Sequence, residues 1–306
     1  MDFILSNEQI RQWCKYTSDE IKAMPEDELN VDLRCRANLA DFYKEVGNMM
    51  ADEVVKNNAE GKITKWICPA GPLDQYDYFI ERVHKDRISL KNLWIFMMDE
   101  FLDWESRPLP LDARYGSLRG TMERRVFSKI DPELMCPREQ IIFPDPQNLD
   151  AYDNLIEEMG GIDTCWAGIG HKGLVAFCEA PHSRYYRISQ EQFKNSKTRI
   201  VELNEDLLVA LSQRSFGANF DMIPPKAVTL GMKAILSSKR IVYMLRGGAW
   251  KQTVLRIILF CRETTLEYPV TFTTKYIPEK ILFCDEETLD HPLSKWSEED
   301  WNGLGY

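Results

Sequence analysis

The sequence predicts a three-layer α/β/α fold built on a doubly wound, mostly parallel sheet of Rossmann-like type. Three observations predict it. Short β-type runs alternate with helical stretches from residue 64 to residue 284, the pattern of successive βαβ units. Leu93 to Met98 is apolar throughout, as suits a strand buried on both faces. Asp163 to Pro181, DTCWAGIGHKGLVAFCEAP, carries a β-type segment into a glycine-punctuated turn with a lone carboxylate, Glu179, just beyond it. The carboxyl edge of an open α/β sheet is where ligands bind.

The elements follow in order. Ser6 to Ala23 has helical spacing (Ile10, Trp13, Cys14, Ile21) and ends at Met24-Pro25. Arg36 to Asn57 is a second amphipathic helix, closed by a C-cap-like run reaching Gly61. Thr64 to Cys68 is a strand and Pro69-Ala70-Gly71-Pro72 its turn, with a helix from Gln75 to His84. The Pro-rich stretch from Leu102 to Tyr115 is long enough for a functional loop. Arg119 to Phe127 is helical, Gln140 to Phe143 extended and Asp150 to Met159 helical. After the Asp163 strand, further strands are expected at Lys197 to Leu203, Ala227 to Leu230, Arg240 to Leu245, Val270 to Thr273 and Lys280 to Cys284, with a helix over Trp250 to Cys261. Residues 1–60 form a helical extension packed on the core, 61–290 the α/β domain and 291–306 a peripheral tail with Trp296 and Trp301 among acids.

Composition narrows the function. A net charge of −10 without a basic cluster argues against nucleic acid as partner. No apolar run reaches the roughly 18–20 residues of a membrane span, and Met1 to Glu8 lacks the basic-then-apolar order of a secretory leader. A cytoplasmic protein with no membrane partner is the expectation. The eight cysteines are scattered and none forms a CxxC, which favours reduced, buried thiols over disulfides or a zinc site. Nothing calls for a metal or other cofactor.

Several residues have the chemistry of a site. Asp99-Glu100 falls where the Leu93 strand should end. A carboxylate there acts as a general base if burial raises its pKa toward neutrality; the alternative is that one acid caps the next element and the other is solvated. Glu179 completes a pair with Asp99 or is a capping acid. Gly247-Gly248 after a strand, with Lys251 beside it, is the setting of a phosphate cradle. Arg199 is a second cation, and the turn at Gly71 a second, proline-weakened cradle. Gly168-x-Gly170 opens the central turn and Lys172 puts a cation next to it. His171 and His182 lie near that turn, His84 and His291 away from it; each is an acid/base or a structural hydrogen-bonding partner.

These motifs together resemble the glucosamine-6-phosphate isomerase/deaminase family, which is grouped with 6-phosphogluconolactonases. The likeness runs over roughly residues 65–288 and is carried by Met98-Asp99-Glu100-Phe101, Gly168 to Glu179, Ser196-Lys197-Thr198-Arg199, Ala227 to Met232 and Gly248-Ala249-Trp250-Lys251. Residues 69–72, 103–111 and 183–189 look like signatures of an extended, divergent branch. The resemblance implies that Asp99 takes the C2 proton of the opened sugar phosphate, Glu179 assists ring opening, Arg199 and Lys251 hold the phosphate, and the protein is a homo-oligomer. The family pattern Gly-x-Gly-x-Asp-Gly-His-x-Ala-Phe-Asn-Glu has Lys172, Leu174 and Cys178 here in place of Asp, His and Asn. Leucine transfers no proton, so the ring-opening role is vacant unless His171 or His182 takes it. Lys172 would depress the pKa of Asp99 or Glu179. The expected function is an amino-sugar or hexose 6-phosphate isomerase/deaminase with an altered catalytic loop. A catalytically impaired sugar-phosphate binder is the alternative, and a lactonase-type hydrolase a third reading.

Overall fold

Ten strands form two sheets in the computed structural model, which describes residues 4–183 and 185–302, Asn302 by its backbone alone. The strands are β1 (Asp32–Arg36), β2 (Thr64–Cys68), β3 (Leu93–Met97), β4 (Asp99–Leu102), β5 (Ile141–Ile142), β6 (Ile162–Gly168), β7 (Arg199–Glu202), β8 (Lys226–Thr229), β9 (Ser238–Leu245) and β10 (Glu279–Asp285). Seven of them make one all-parallel sheet in the order β1-β10-β9-β6-β2-β3-β5. Its middle strands alternate large apolar side chains between two cores. Ile241, Tyr243 and Leu245 of β9 face one side with Phe96 and Ile67; Val242 and Met244 face the other with Trp66 and Trp166. Helices Leu39–Ala59, Asp74–Lys85 and Leu118–Arg125 cover the second face, and helices Leu149–Glu158, Gln252–Phe260 and Val270–Tyr276 the first. A strand with no solvent face needs this double covering, so the α/β/α expectation holds.

The remaining strands form an antiparallel sheet, β4-β8-β7. The chain passes between the sheets at Met98, whose N–H donates to Cys68 O of the parallel sheet and whose carbonyl accepts from Leu230 N. Asp99 therefore starts a strand rather than ending one. Across this small sheet both Asp99 and Arg199 sit opposite Thr229.

Some elements differ from the sequence expectation. The helix expected over Ser6 to Ala23 is two, Asn7–Lys15 and Ser18–Ala23, because Thr17 caps the second by accepting from Glu20 N at 3.2 Å. Residues 32–36, expected within a helical extension, are the edge strand β1 paired with β10. Val270 to Thr273, expected as a strand, lies in a helix. Pro269 starts it, and Thr271, Thr273 and Thr274 donate back to the carbonyls of Tyr268, Val270 and Thr271 at 2.7, 2.7 and 3.1 Å. The two termini meet: helix Asn7–Lys15 packs on helix Gln252–Phe260, and Lys15 Nζ lies 5.0 Å from the Trp301 ring. Residues 303–306 of the expected tail, and Arg184 in the expected branch signature, lie outside the described residues. No described helix is long and apolar enough to cross a membrane.

Candidate active site

The carboxyl ends of β2, β3, β6 and β9 surround a cavity of about 320 Å³, roofed by Leu207, Leu211 and Arg214 of helix Glu205–Phe216. Its floor is made by two loops in close contact. A Cβ on Gly168, the last residue of β6, would stand 2.3 Å from Gly71 O, so only glycine lets the turn after β2 lie against it. The turn that follows bends at Gly173, with φ +71°, and at Ala176, a non-glycine held at φ 57°. A larger groove, about 870 Å³, opens at the opposite edge of the sheet, but ion pairs occupy it, Glu53 with Arg240 at 2.6 Å and Asp163 with Lys239 at 2.7 Å. It is a solvated rim.

Asp99 lines the cavity and is buried, and no described residue hydrogen-bonds its carboxylate. Burial, with a smaller push from Glu100, raises its pKa to about 7. Its neighbour has the other role expected of the pair. The Glu100 carboxylate accepts from Phe101 N at 2.9 Å and from Leu118 N and Arg119 N at 2.7 Å each, tying helix Leu118–Arg125 to β4. One acid caps; the other is enclosed instead of solvated.

Lys251 also lines the cavity, 7% exposed, and burial with the nearby Arg214 and Arg246 depresses its pKa to about 7. The structure thus brings Asp99, Lys251, Gly71 and Gly170 to one cavity. Glu179, His171, Lys172 and Arg199 are not on its wall. They belong to a polar cluster behind the turn. Lys172 Nζ pairs with Asp206 at the start of the roofing helix, and His171 Nε2 lies 3.7 Å from the same carboxylate. His171 itself is depressed by burial. Glu179 has a raised pKa through burial, with His182 Nε2 3.8 Å away. Arg199 donates to Glu179 O at 3.1 Å and Lys197 O at 3.3 Å, and its Nη2 approaches Cys178 Sγ at 3.8 Å. Lys172 does act to lower Glu179, as expected, but burial outweighs it and the acid is raised; on Asp99 the acting causes are burial and Glu100, and Lys172 is paired with Asp206.

Sequence reasoning missed Arg214 and Arg246, both on the cavity wall. Arg246 had a signal, a cation immediately before Gly247-Gly248; Arg214 had none, since only the fold brings its helix over the sheet edge. Apart from Ser215, the rest of the wall is mainly apolar, with Phe101, Leu118, Phe177, Leu207 and Leu211 beside Leu174. Leu174 is 2% exposed and stands where the family pattern has its His.

No family model matches the chain. A glucosamine-6-phosphate deaminase of Bacillus pumilus is 30% identical over 194 residues, 61% of this chain and 70% of that protein. Among solved structures, a monomeric glucosamine-6-phosphate deaminase superposes with a TM-score of 0.69 at 21% identity, covering 84% of this chain and 98% of its own. A 6-phosphogluconolactonase from Leishmania guyanensis superposes at 0.61 with 13% identity, covering 84% and 97%. A parallel sheet with its cavity at the carboxyl edge and a relative at this identity over 70% of its length agree: the chain belongs to the glucosamine-6-phosphate deaminase family.

Proposed function

We propose that the protein is a sugar-phosphate isomerase/deaminase that moves the C2 proton of an amino-sugar or hexose 6-phosphate. The observation that carries this reading is the placement of Asp99, a buried carboxyl near pKa 7, in the same cavity as the buried cation Lys251. Near neutral pH such a carboxyl exists in both forms, which suits it to take a proton and to return it. Its carboxylate takes the hydrogen from C2 of the open-chain aldose, leaving an enediolate or, with a 2-amino group, its enolamine counterpart, whose O1 is protonated by water. The carboxyl, whose proton exchanges with water, then gives a proton to C1, or back to C2 in reversal, as the hydroxyl or amino group at C2 releases one to water. A hydroxyl substrate then leaves as a ketose; an amino substrate leaves a 2-imine, which water hydrolyses to ketose and ammonia. Lys251 holds the phosphate.

Leu174 supplies no acid for ring opening, and Glu179 and His171 are off the cavity wall. The reading therefore takes the open-chain form from solution as the reactive one. The test is incubation with glucosamine 6-phosphate and hexose 6-phosphates, following ammonia and ketose; no turnover with any of them at high protein concentration overturns it. Leu174 on the wall also favours a second reading, a sugar-phosphate binder without turnover, which the same incubation together with a binding measurement separates from the first.

A further inference from the structure

We propose that Arg214, Arg246 and Lys251, with the Tyr43 hydroxyl behind them, form one anion subsite that takes the phosphoryl group of the substrate in place of Arg199. This rests on reading the cavity as a sugar-phosphate site. All three cations line it, and none has a hydrogen bond or ion pair with a described residue. Arg246 Nε and Tyr43 Oη are buried without a hydrogen-bond partner. The two side chains are neighbours, with the Arg246 guanidinium carbon 5.8 Å from the Tyr43 ring centroid. Tyr43 is 3% exposed, anchored on helix Leu39–Ala59.

Unpaired buried donors are costly, and three cations crowded together repel. Arg214 and Arg246 both disfavour the charged form of Lys251, and Arg246 that of Arg214. Asp285, the one carboxylate acting on Lys251, accepts from Thr288 N at 2.7 Å and caps the next helix. Asp99 does not relieve them either; its charged neighbour is Glu100. Every unpaired group here is a donor. The partner that satisfies them all at once is an acceptor-only dianion, and a phosphomonoester is that. Arg199 differs on each point: its guanidinium is spent on the carbonyls of Glu179 and Lys197, and it is off the wall. Arg214 sits on the roofing helix and Arg246 at the end of β9, so the anion would also tie roof to sheet.

The experiment is titration of the full chain with inorganic phosphate, and with glucosamine 6-phosphate, by calorimetry and thermal melting, on the wild type and on Arg214→Gln, Arg246→Gln and Arg199→Gln. Millimolar phosphate is expected to raise the melting temperature of the wild type. Arg214→Gln and Arg246→Gln should each weaken binding by about 10-fold or more, while Arg199→Gln stays near the wild type. Without phosphate, the Arg214 and Arg246 variants should melt no lower than the wild type, because each removes a repelling charge; this separates lost binding from lost folding. Binding that is lost in Arg199→Gln and kept in the other two overturns the subsite, as does a wild type that binds neither probe. Phosphate binding that needs Arg214 and Arg246 in a protein that turns nothing over supports the subsite and overturns only the catalytic reading.

Discussion

Replacing Asp99 by Asn removes one ionisable group and nearly keeps the shape of the side chain. Unfolded, the Asp99 carboxyl titrates at its usual 3.8; folded, burial holds it at about 7. The native state thus keeps its proton over a range in which the unfolded chain has lost it. Stability is unaffected below about pH 4, falls as pH rises toward 7 and reaches its full loss above that. Raising the carboxyl from 3.8 to about 7 costs the ionised native state ~4 kcal/mol. Asp99→Asn should recover much of that at pH 8.5 and almost none at pH 4, while turnover falls by about 100-fold or more. Urea unfolding of both proteins across that range reads the stability, and a ketose assay reads the activity. A variant less stable than the wild type at pH 8.5, or a gain unchanged by pH, refutes the argument from burial.

Lys251→Met should behave in the opposite sense. A lysine brought from 10.5 to about 7 destabilises the fold by up to ~5 kcal/mol below pH 7 and by nothing above about 10.5, so the variant should gain stability in phosphate-free buffer at pH 7 and lose the stabilisation phosphate gives. Gly168→Ala forces a methyl to 2.3 Å from Gly71 O; a loss of about 1–3 kcal/mol in urea midpoint with impaired phosphate-sugar binding is expected. Leu174→His puts an imidazole on the cavity wall, and should raise turnover of glucosamine 6-phosphate about 10-fold or more if ring opening limits the rate. Unchanged turnover in a folded Leu174→His protein counts against the vacant-acid explanation.

The parallel sheet was legible because its strands carry their burial in their own residues. Leu93 to Met97 has no polar face to offer water, and the Gly168 turn shows its need for close approach in its glycines. Edge strand β1 was not legible: Asp32, Arg34 and Arg36 alternate with Leu33 and Cys35, and one half-covered face resembles a loop as much as a strand. Val270 to Thr273 reads as a strand because β-branched residues favour strands in general, while here threonine hydroxyls satisfy helical carbonyls. At the site, Asp99 and Lys251 lie next to strand ends and could be placed from local order. The capping role of Glu100 needed the helix beginning at Leu118, and Arg214 needed the helix between β7 and β8 to lie over the cavity. Both are non-local, and no spacing announces them. Lys172 was legible as a change of charge but not as the partner of Asp206.

Exchange at C2 tests the central claim most directly, because it reports proton abstraction whether or not product is released. Glucosamine 6-phosphate incubated with the protein in heavy water, followed by proton NMR, should lose its C2 hydrogen with wild type and keep it with Asp99→Asn. Exchange at the wild-type rate in Asp99→Asn, or no exchange by a wild type saturated with the sugar phosphate, contradicts Asp99 as the base.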